Sequence, residues 1–287
     1  MSVTPLKPLI EKSIFVIREV KARFKKPAVM WSTGKDSTAC LHLIKEAFFG
    51  EIPFPVIYID TGYHFPEIYK FRDWLAKKWK FNLVIAKNEE ALKKGMSPMT
   101  HSRMECCFQL KTMALKNLMQ REKYDALIVS IRWDEHPIRG MERYFSPRDT
   151  KWHWRVVRPK TKEEMKKGDA PVVSLQDTEL AGWGIFATDF GPDCSHVRVH
   201  PILHWSEIEI WRYIKKNKIP FNPLYLSKNG YRYRSLGCMP CTEPVKSNAK
   251  TIDEIIEELK KTKIKERIGR AQDKEKLMER LRYLGYF

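Results

Sequence analysis

The chain has 287 residues, 43% of them hydrophobic, which is enough apolar material for one large core or two modest ones and too much for a disordered chain. No apolar run approaches the ~20 residues that cross a bilayer, and the start, MSVTPLKPLIEKS, lacks the apolar stretch of a secretory signal, so a cytoplasmic protein without a membrane span is expected. Lys and Arg number 53 against 35 Asp and Glu, and the resulting +18 is spread along the chain, which suits polyanionic partners such as nucleotides, RNA or DNA and suits a lysine-rich surface equally well.

Leu9, Ile10, Ile14, Val16, Ile17 and Val20 recur at helical spacing and predict an opening helix over residues 5–24, ending in the basic ARFKK. PAVMWS is a short apolar run that breaks at Gly34, and TACLHLIKEAFF resumes helical periodicity, so strand, tight turn and helix follow one another. The alternation continues with PVIYIDTG as a strand, FPEIYKFRDWLAKKW as an amphipathic helix and FNLVIAKN as a third strand. A cysteine-bearing helix near 105–120 precedes a fourth strand in YDALIVSIRWDE. Such alternation predicts an α/β fold with a parallel sheet flanked by helices, whose ligands bind at the carboxyl ends of the strands.

Residues 150–195 hold no lasting period and are read as a long irregular excursion. VRVHPIL is then a last strand, SEIEIWRYIKKN a helix capped by Ser206, and TIDEIIEELKKT a helix capped by Thr251, before a basic final helix. The expected division is an ATP-binding α/β domain over 1–205 and a smaller C-terminal helical region over 206–287.

Three groups of residues carry chemistry. Ser32, Thr33 and Gly34 are small enough for backbone N–H groups to approach a phosphate. The helix they open adds its positive end, Lys35 a mobile charge, Ser32 and Ser37 hydroxyl donors, and Asp36 a carboxylate for Mg²⁺. Asp60, Thr61 and Gly62, at the next strand end, fall beside that loop and read either as nucleotide contacts or as an Asp-initiated turn. Arg132, Asp134, Glu135, Arg139, Glu142, Arg143 and Arg148 form a charged group after the fourth strand, either a solvated helix face or an anion clamp from which Arg132 and Arg143 are the catalytic candidates.

Cys106 and Cys107, with Cys238 and Cys241, supply four thiolates from two loops, a set able to ligate Zn²⁺ or a 4Fe–4S cluster. Cys40, in an apolar helix, reads as core, and Cys194, read in a loop with His196, as a candidate reactive thiol.

The stretch Ser32–Ser37 matches the SxGKDS signature of the PP-loop ATP pyrophosphatases. Together with KSIFVIREV, PFPVIYIDTGYHFPEIYKFRD, NPLYL, SLGC, SNAKTIDEIIEE and the final GYF, it makes the chain resemble, nearly end to end, the family of the sulfate adenylyltransferase small subunit and the phosphoadenosine phosphosulfate (PAPS) reductases. The resemblance implies the adenine nucleotide α-hydrolase fold, with ATP on the loop. It implies an enzyme that splits ATP between the α and β phosphates, to adenylylate sulfate or to activate a nucleic-acid oxygen for sulfur insertion in DNA phosphorothioation or tRNA thiolation. An oligomer is expected, with a GTPase subunit, a cysteine desulfurase or an electron donor as partner, according to branch.

The cysteine pairs are similar to the CC and GCxPCT motifs that hold the 4Fe–4S cluster of adenylylsulfate (APS) reductases. That similarity makes Cys106, Cys107, Cys238 and Cys241 the implied ligands and a PAPS or APS reductase releasing sulfite the alternative reading. Against it, the chain ends RLRYLGYF with no cysteine after Cys241, where those reductases carry a nucleophilic one, and its loop keeps Lys35 and Asp36.

Overall fold

A computed structural model describes residues 4–136, 139–140, 142–153, 194–271 and 281. The opening helix α1 (Leu6–Arg23) buries Leu6, Val16, Ile17 and Val20 along one stripe and places Lys21 and Arg23 in its last turn, where they oppose the negative helix end. Strands β1 (Pro27–Met30), β2 (Val56–Ile59), β3 (Leu83–Ala86) and β4 (Ala126–Ile128) alternate with helices α2 (Lys35–Ala47) and α3 (Pro66–Trp79), the short α4 (Glu89–Lys93), and a long helix. That last helix runs as α5 (Arg103–Cys107) through a π-helical turn, Phe108–Met113, into α6 (Ala114–Glu122).

Two further strands, β5 (Phe145–Asp149) and β6 (Cys194–Val199), complete a six-stranded sheet of order β3-β2-β1-β4-β6-β5. All neighbours pair in parallel except β5, which runs antiparallel to β6 at the edge. The order reverses direction between β1 and β4, the point at which open parallel sheets form a crevice beyond their carboxyl ends.

The expected alternation of strand and helix is present. β5 differs from expectation: its FSPRD sequence carries a proline and two charges and gives no strand signal. It is held because Phe145 joins the core with Val197 and Val199 of β6, while the alternating Ser146, Arg148, His196 and Arg198 form a buried polar face. Within the reading of 150–195 as an irregular excursion, Cys194 and Ser195 belong to β6, and 154–193 lie outside the described residues, as do 272–280 and 282–287 of the expected final helix.

Helices α7 (Glu207–Lys216) and α8 (Ile252–Lys261) begin with capping boxes built by Ser206 with Glu209 and by Thr251 with Glu254. Their apolar faces, Ile210, Trp211, Tyr213 and Ile214 on α7 and Ile255, Ile256 and Leu259 on α8, enter the same core as the sheet. A small hairpin of β7 (Tyr231–Arg232) and β8 (Val245–Lys246) brackets the Cys238–Cys241 turn. No helix among the described residues is long and apolar enough to cross a membrane.

Candidate nucleotide cleft

The loop from Ser32 to Gly34 leaves β1 at its carboxyl end and opens α2. Ser32 and Ser37 hydroxyls lie 3.2 Å apart, Ser37 Oγ also donates to the Gly34 carbonyl at 3.1 Å, and Trp31 Nε1 donates to Thr38 Oγ1 at 3.1 Å, so the turn is tied across its own mouth. Thr33 takes φ of 62°, a left-handed conformation unusual for a β-branched residue. At Gly34 an added Cβ would sit 3.3 Å from both Ser32 Oγ and the Tyr225 hydroxyl, so the smallest residue keeps the approach open.

Gly34 has no side chain with which to cap α2; the Tyr225 hydroxyl, from a distant turn, accepts the Lys35 N–H at 2.9 Å. The positive end of a 13-residue helix therefore faces a cleft lined by Ser32, Lys35, Ser37, Thr61, Arg139, Tyr225, Arg267 and Arg270 among others.

The Lys35 side chain is 1% exposed. Its amine donates to Asp36 at 3.1 Å and to the Arg234 carbonyl at 3.3 Å, pairs closely with Glu266, and stands 3.9 Å from Glu207. Burial disfavours the ammonium, but Glu266 and Glu207 outweigh it and hold the amine charged. The Arg132 side chain, fully buried behind the cleft lining, reaches Asp36 and Glu266 closely and Asp134 at 3.0 Å, and Glu266, Asp134, Glu135 and Glu207 overcome its desolvation in the same way. A further ion pair joins Arg267 to Glu135 at 3.1 Å, and Glu135 also pairs with Arg139.

The charged group after β4 is thus not a solvated helix face: Arg132, Arg139, Glu142 and Arg148 are all buried, and the Glu135–Arg139 pair at helical spacing is itself buried. Arg143 is half-buried and off the cleft lining, its guanidinium pulled down to about 10 by burial. Asp60 makes the turn its sequence suggests, accepting from the Gly62 N–H and the Tyr69 hydroxyl, both at 2.9 Å. Of the Asp60–Gly62 trio, only Thr61 lines the cleft.

Four contributors escape a local reading. Glu266, which pairs with Lys35 behind the lining, and Arg267 and Arg270, which line the cleft, come from a segment more than 200 residues from the loop, in a stretch that reads as part of a basic helix, and Tyr225 sits in the NPLY turn without any chemical motif around it.

The four paired cysteines are all buried, Cys106 and Cys107 on α5 and Cys238 and Cys241 around a single 3₁₀ turn. The Cys238 backbone bridges to His64, its thiol lies 3.2 Å from Thr61 Oγ1, and Met239 N–H donates to the Tyr63 carbonyl at 2.8 Å, so this turn is fastened beside the cleft. Burial pushes the Cys106 thiol up to about 12, helped by Cys107, Cys238 and Cys241. Burial acts the same way on Cys238, but Lys111, His64 and Thr61 overcome it and bring that thiol down to about 5. The thiols of both loops thus sense one another's charge, although no group of three or more His, Cys, Asp or Glu among the described residues is already arranged around a metal position. Cys40 is core, as its apolar helix predicts, and Cys194 lies in strand β6 with its thiol directed at the His196 carbonyl, 3.4 Å away.

Comparison with known proteins agrees with this arrangement. The phosphoadenosine phosphosulfate reductase domain matches residues 26–244. Sulfate adenylyltransferase subunit 2 of Colwellia psychrerythraea is 35% identical over the whole of both chains, and that of Pseudomonas entomophila 34% identical over 100% of this chain and 99% of its own. Among solved structures, PAPS reductase from Candida auris superposes with a TM-score of 0.51 at 18% identity, over 85% of this chain and 99% of its own. FMN adenylyltransferase from Candida glabrata, with FMN and an ATP analogue, gives 0.54 at 16% identity over 100% and 87%. The fold is that of the PP-loop, adenine nucleotide α-hydrolase-like proteins, and the chain belongs to the phosphoadenosine phosphosulfate reductase domain family and is similar along its whole length to the two sulfate adenylyltransferase subunits 2.

Proposed function

We propose that the protein binds ATP over the Ser32–Ser37 loop and transfers its adenylyl group to sulfate. The observation that carries this is the convergence of two buried cations, Lys35 and Arg132, on the start of α2, in a chain 35% identical end to end to a sulfate adenylyltransferase subunit 2. A sulfate oxygen attacks the α-phosphorus, the new P–O bond forms as the bond to the bridging oxygen of the β-phosphate breaks, and pyrophosphate departs with that electron pair. Such a reaction is mostly positioning and charge neutralisation, which the backbone N–H groups of the loop, Ser32, Ser37, Lys35 and Arg132 supply. Asp36, in the first turn of α2, is the carboxylate we assign to Mg²⁺, whose charge would offset that of the departing pyrophosphate.

Adenylylation of sulfate by ATP runs uphill, and the resemblance to a small subunit supports a GTPase partner to drive it. We assign Cys106, Cys107, Cys238 and Cys241 to a 4Fe–4S cluster: four buried thiols from two loops suit such a group chemically. We give it a structural part, fastening the Cys238–Cys241 turn against the cleft.

The test is pyrophosphate release from Mg·ATP by anaerobically purified protein with the partner subunit, with and without sulfate, with nucleic acid in a separate arm. Sulfate-dependent release that Lys35→Ala lowers at least about a hundredfold is expected. Release driven by nucleic acid alone, or full activity in Lys35→Ala, contradicts the assignment.

A further inference from the structure

On the nucleotide reading of the cleft, we propose that residues 262–271 form a displaceable strap whose Glu266 carboxylate occupies the place of a nucleotide phosphate at Lys35 and Arg132, so that strap and nucleotide compete for the same two cations. Glu266 divides its oxygens between them, Oε1 to Lys35 Nζ and Oε2 to Arg132 Nη2, the bridging mode of a phosphate between two cationic groups.

Around Lys35, three carboxylates already share the available positive charge: Asp36, Glu207 and Glu266. A phosphate brought to the start of α2 adds negative charge beside these three carboxylates and favours the departure of the one held least firmly by its element. Asp36 lies within α2, and Glu207 lies on α7 with its other oxygen 2.5 Å from Arg234. Glu266 stands on neither: it belongs to an irregular stretch that starts where α8 ends at Lys261, with Thr262 extended.

The strap is held mostly by polar contacts. Ile264 and Ile268 are each 49% exposed, and the attachments include the Glu243 N–H to the Gly269 carbonyl at 2.9 Å, an isolated bridge between Thr242 and Arg270, the Arg270 guanidinium to the Leu236 carbonyl and to Ser235 Oγ at 3.3 Å, Arg234 to the Ile264 carbonyl at 2.6 Å, and the Arg267–Glu135 pair. Glu266 is the contact that nucleotide charge opposes directly, and losing it leaves the segment on its remaining attachments alone, loosened about Glu266.

The experiment measures Mg·ATP binding to the full chain and to Glu266→Gln by equilibrium dialysis. Alongside it, hydrogen exchange of residues 262–271 is followed in the wild-type chain with and without Mg·α,β-methylene-ATP, which resists cleavage at the α–β bond. Competition predicts about tenfold tighter binding in Glu266→Gln, because the fraction of molecules with the cations available rises. It also predicts faster exchange of 262–271 in wild type when the nucleotide saturates, a readout that stands if the variant folds poorly. Equal or weaker binding in the variant, or greater protection of 262–271 on nucleotide addition, overturns the proposal and makes Glu266 a group that positions Lys35 and Arg132. Failure of both chains to bind the nucleotide at all overturns the nucleotide reading itself.

Discussion

Lys35 and Glu266 lie 231 positions apart in the chain and meet as an ion pair in the interior, the Lys35 side chain 1% exposed and that of Glu266 6%. Burial alone would push the Glu266 carboxyl up; Arg132 and Lys35 pull it down and keep it ionised. Removing one member of such a set leaves the other's charge buried without its partner, and that residue of charge costs more than the pair itself contributes. Lys35→Met should therefore lower the unfolding free energy of the ligand-free protein by about 3 kcal/mol, the low end for a buried pair because Arg132 still holds Glu266. The double variant Lys35→Met with Glu266→Gln should recover at least half of the loss. Urea unfolding of the four proteins gives the coupling, and simple additivity of the two single changes would show that the pair is not energetically linked.

Gly269 meets a different constraint. A Cβ there would run into the Glu243 carbonyl, a backbone atom that cannot swing aside, and the Glu243 N–H bonds the Gly269 carbonyl in the same crossing. Gly269→Ala should loosen the segment from the cysteine turn by about 1–3 kcal/mol. The expected signature is faster hydrogen exchange confined to residues near 243 and 262–271, with the strands of the sheet unchanged. Uniform destabilisation of the sheet would point instead to a wider role for this crossing.

The four coupled cysteines and the core cysteine separate cleanly in one experiment. If Cys106, Cys107, Cys238 and Cys241 hold a 4Fe–4S cluster, anaerobic protein carries about four iron and four sulfide per chain, and a serine at any one of the four lowers both by more than about half. Cys40 is wholly buried in α2, and its thiol is pushed up to about 12 by that burial. Cys40→Ser should keep its iron and lose about 1–3 kcal/mol of stability, the cost of placing a hydroxyl in an apolar site. Iron content that ignores the four substitutions would leave the cysteines as buried thiols and nothing more.

What the sequence discloses follows the range of the forces involved. The loop at Ser32–Ser37, the alternation of strand and helix, and the caps at Ser206 and Thr251 are written in residues within one turn of each other, and each is found where local pattern places it. β5 escaped because its partner β6 begins 45 residues after it ends and its own residues alternate between the apolar core and a buried polar face rather than between core and water. Glu266 and Tyr225 escaped for the same reason: a charge near the end of the chain and a tyrosine in a turn become partners of Lys35 only when the fold brings them to it. The Arg132–Arg148 region was legible as charge but not as burial, since a sequence does not say whether an arginine's partner is water or a distant carboxylate.

That buried polar face also fixes how the protein should respond to acid. His200 is 1% exposed, donates Nδ1–H to the Val129 carbonyl at 3.1 Å, and has Glu142 3.9 Å from its other nitrogen. Burial lowers its pKa to about 3, the Val129 carbonyl opposes that, and Arg148, Arg198 and Arg139 reinforce it. The ordinary value is 6.5, so between pH 6.5 and about 3 the unfolded chain takes up a proton that the folded chain refuses. The contribution of neutral His200 is complete above pH 6.5 and is lost as the pH falls, by up to about 1.4 kcal/mol per pH unit. His200→Asn keeps an N–H for Val129 and removes the titration. The variant should be less stable than wild type at pH 7, and the gap should narrow by about 2 kcal/mol or more on going to pH 4.5, since carboxylates titrate alike in both proteins. A gap that stays constant from pH 7 to 4.5 would mean that His200 charges without penalty, which its position between Arg148, Arg198 and Val129 argues against.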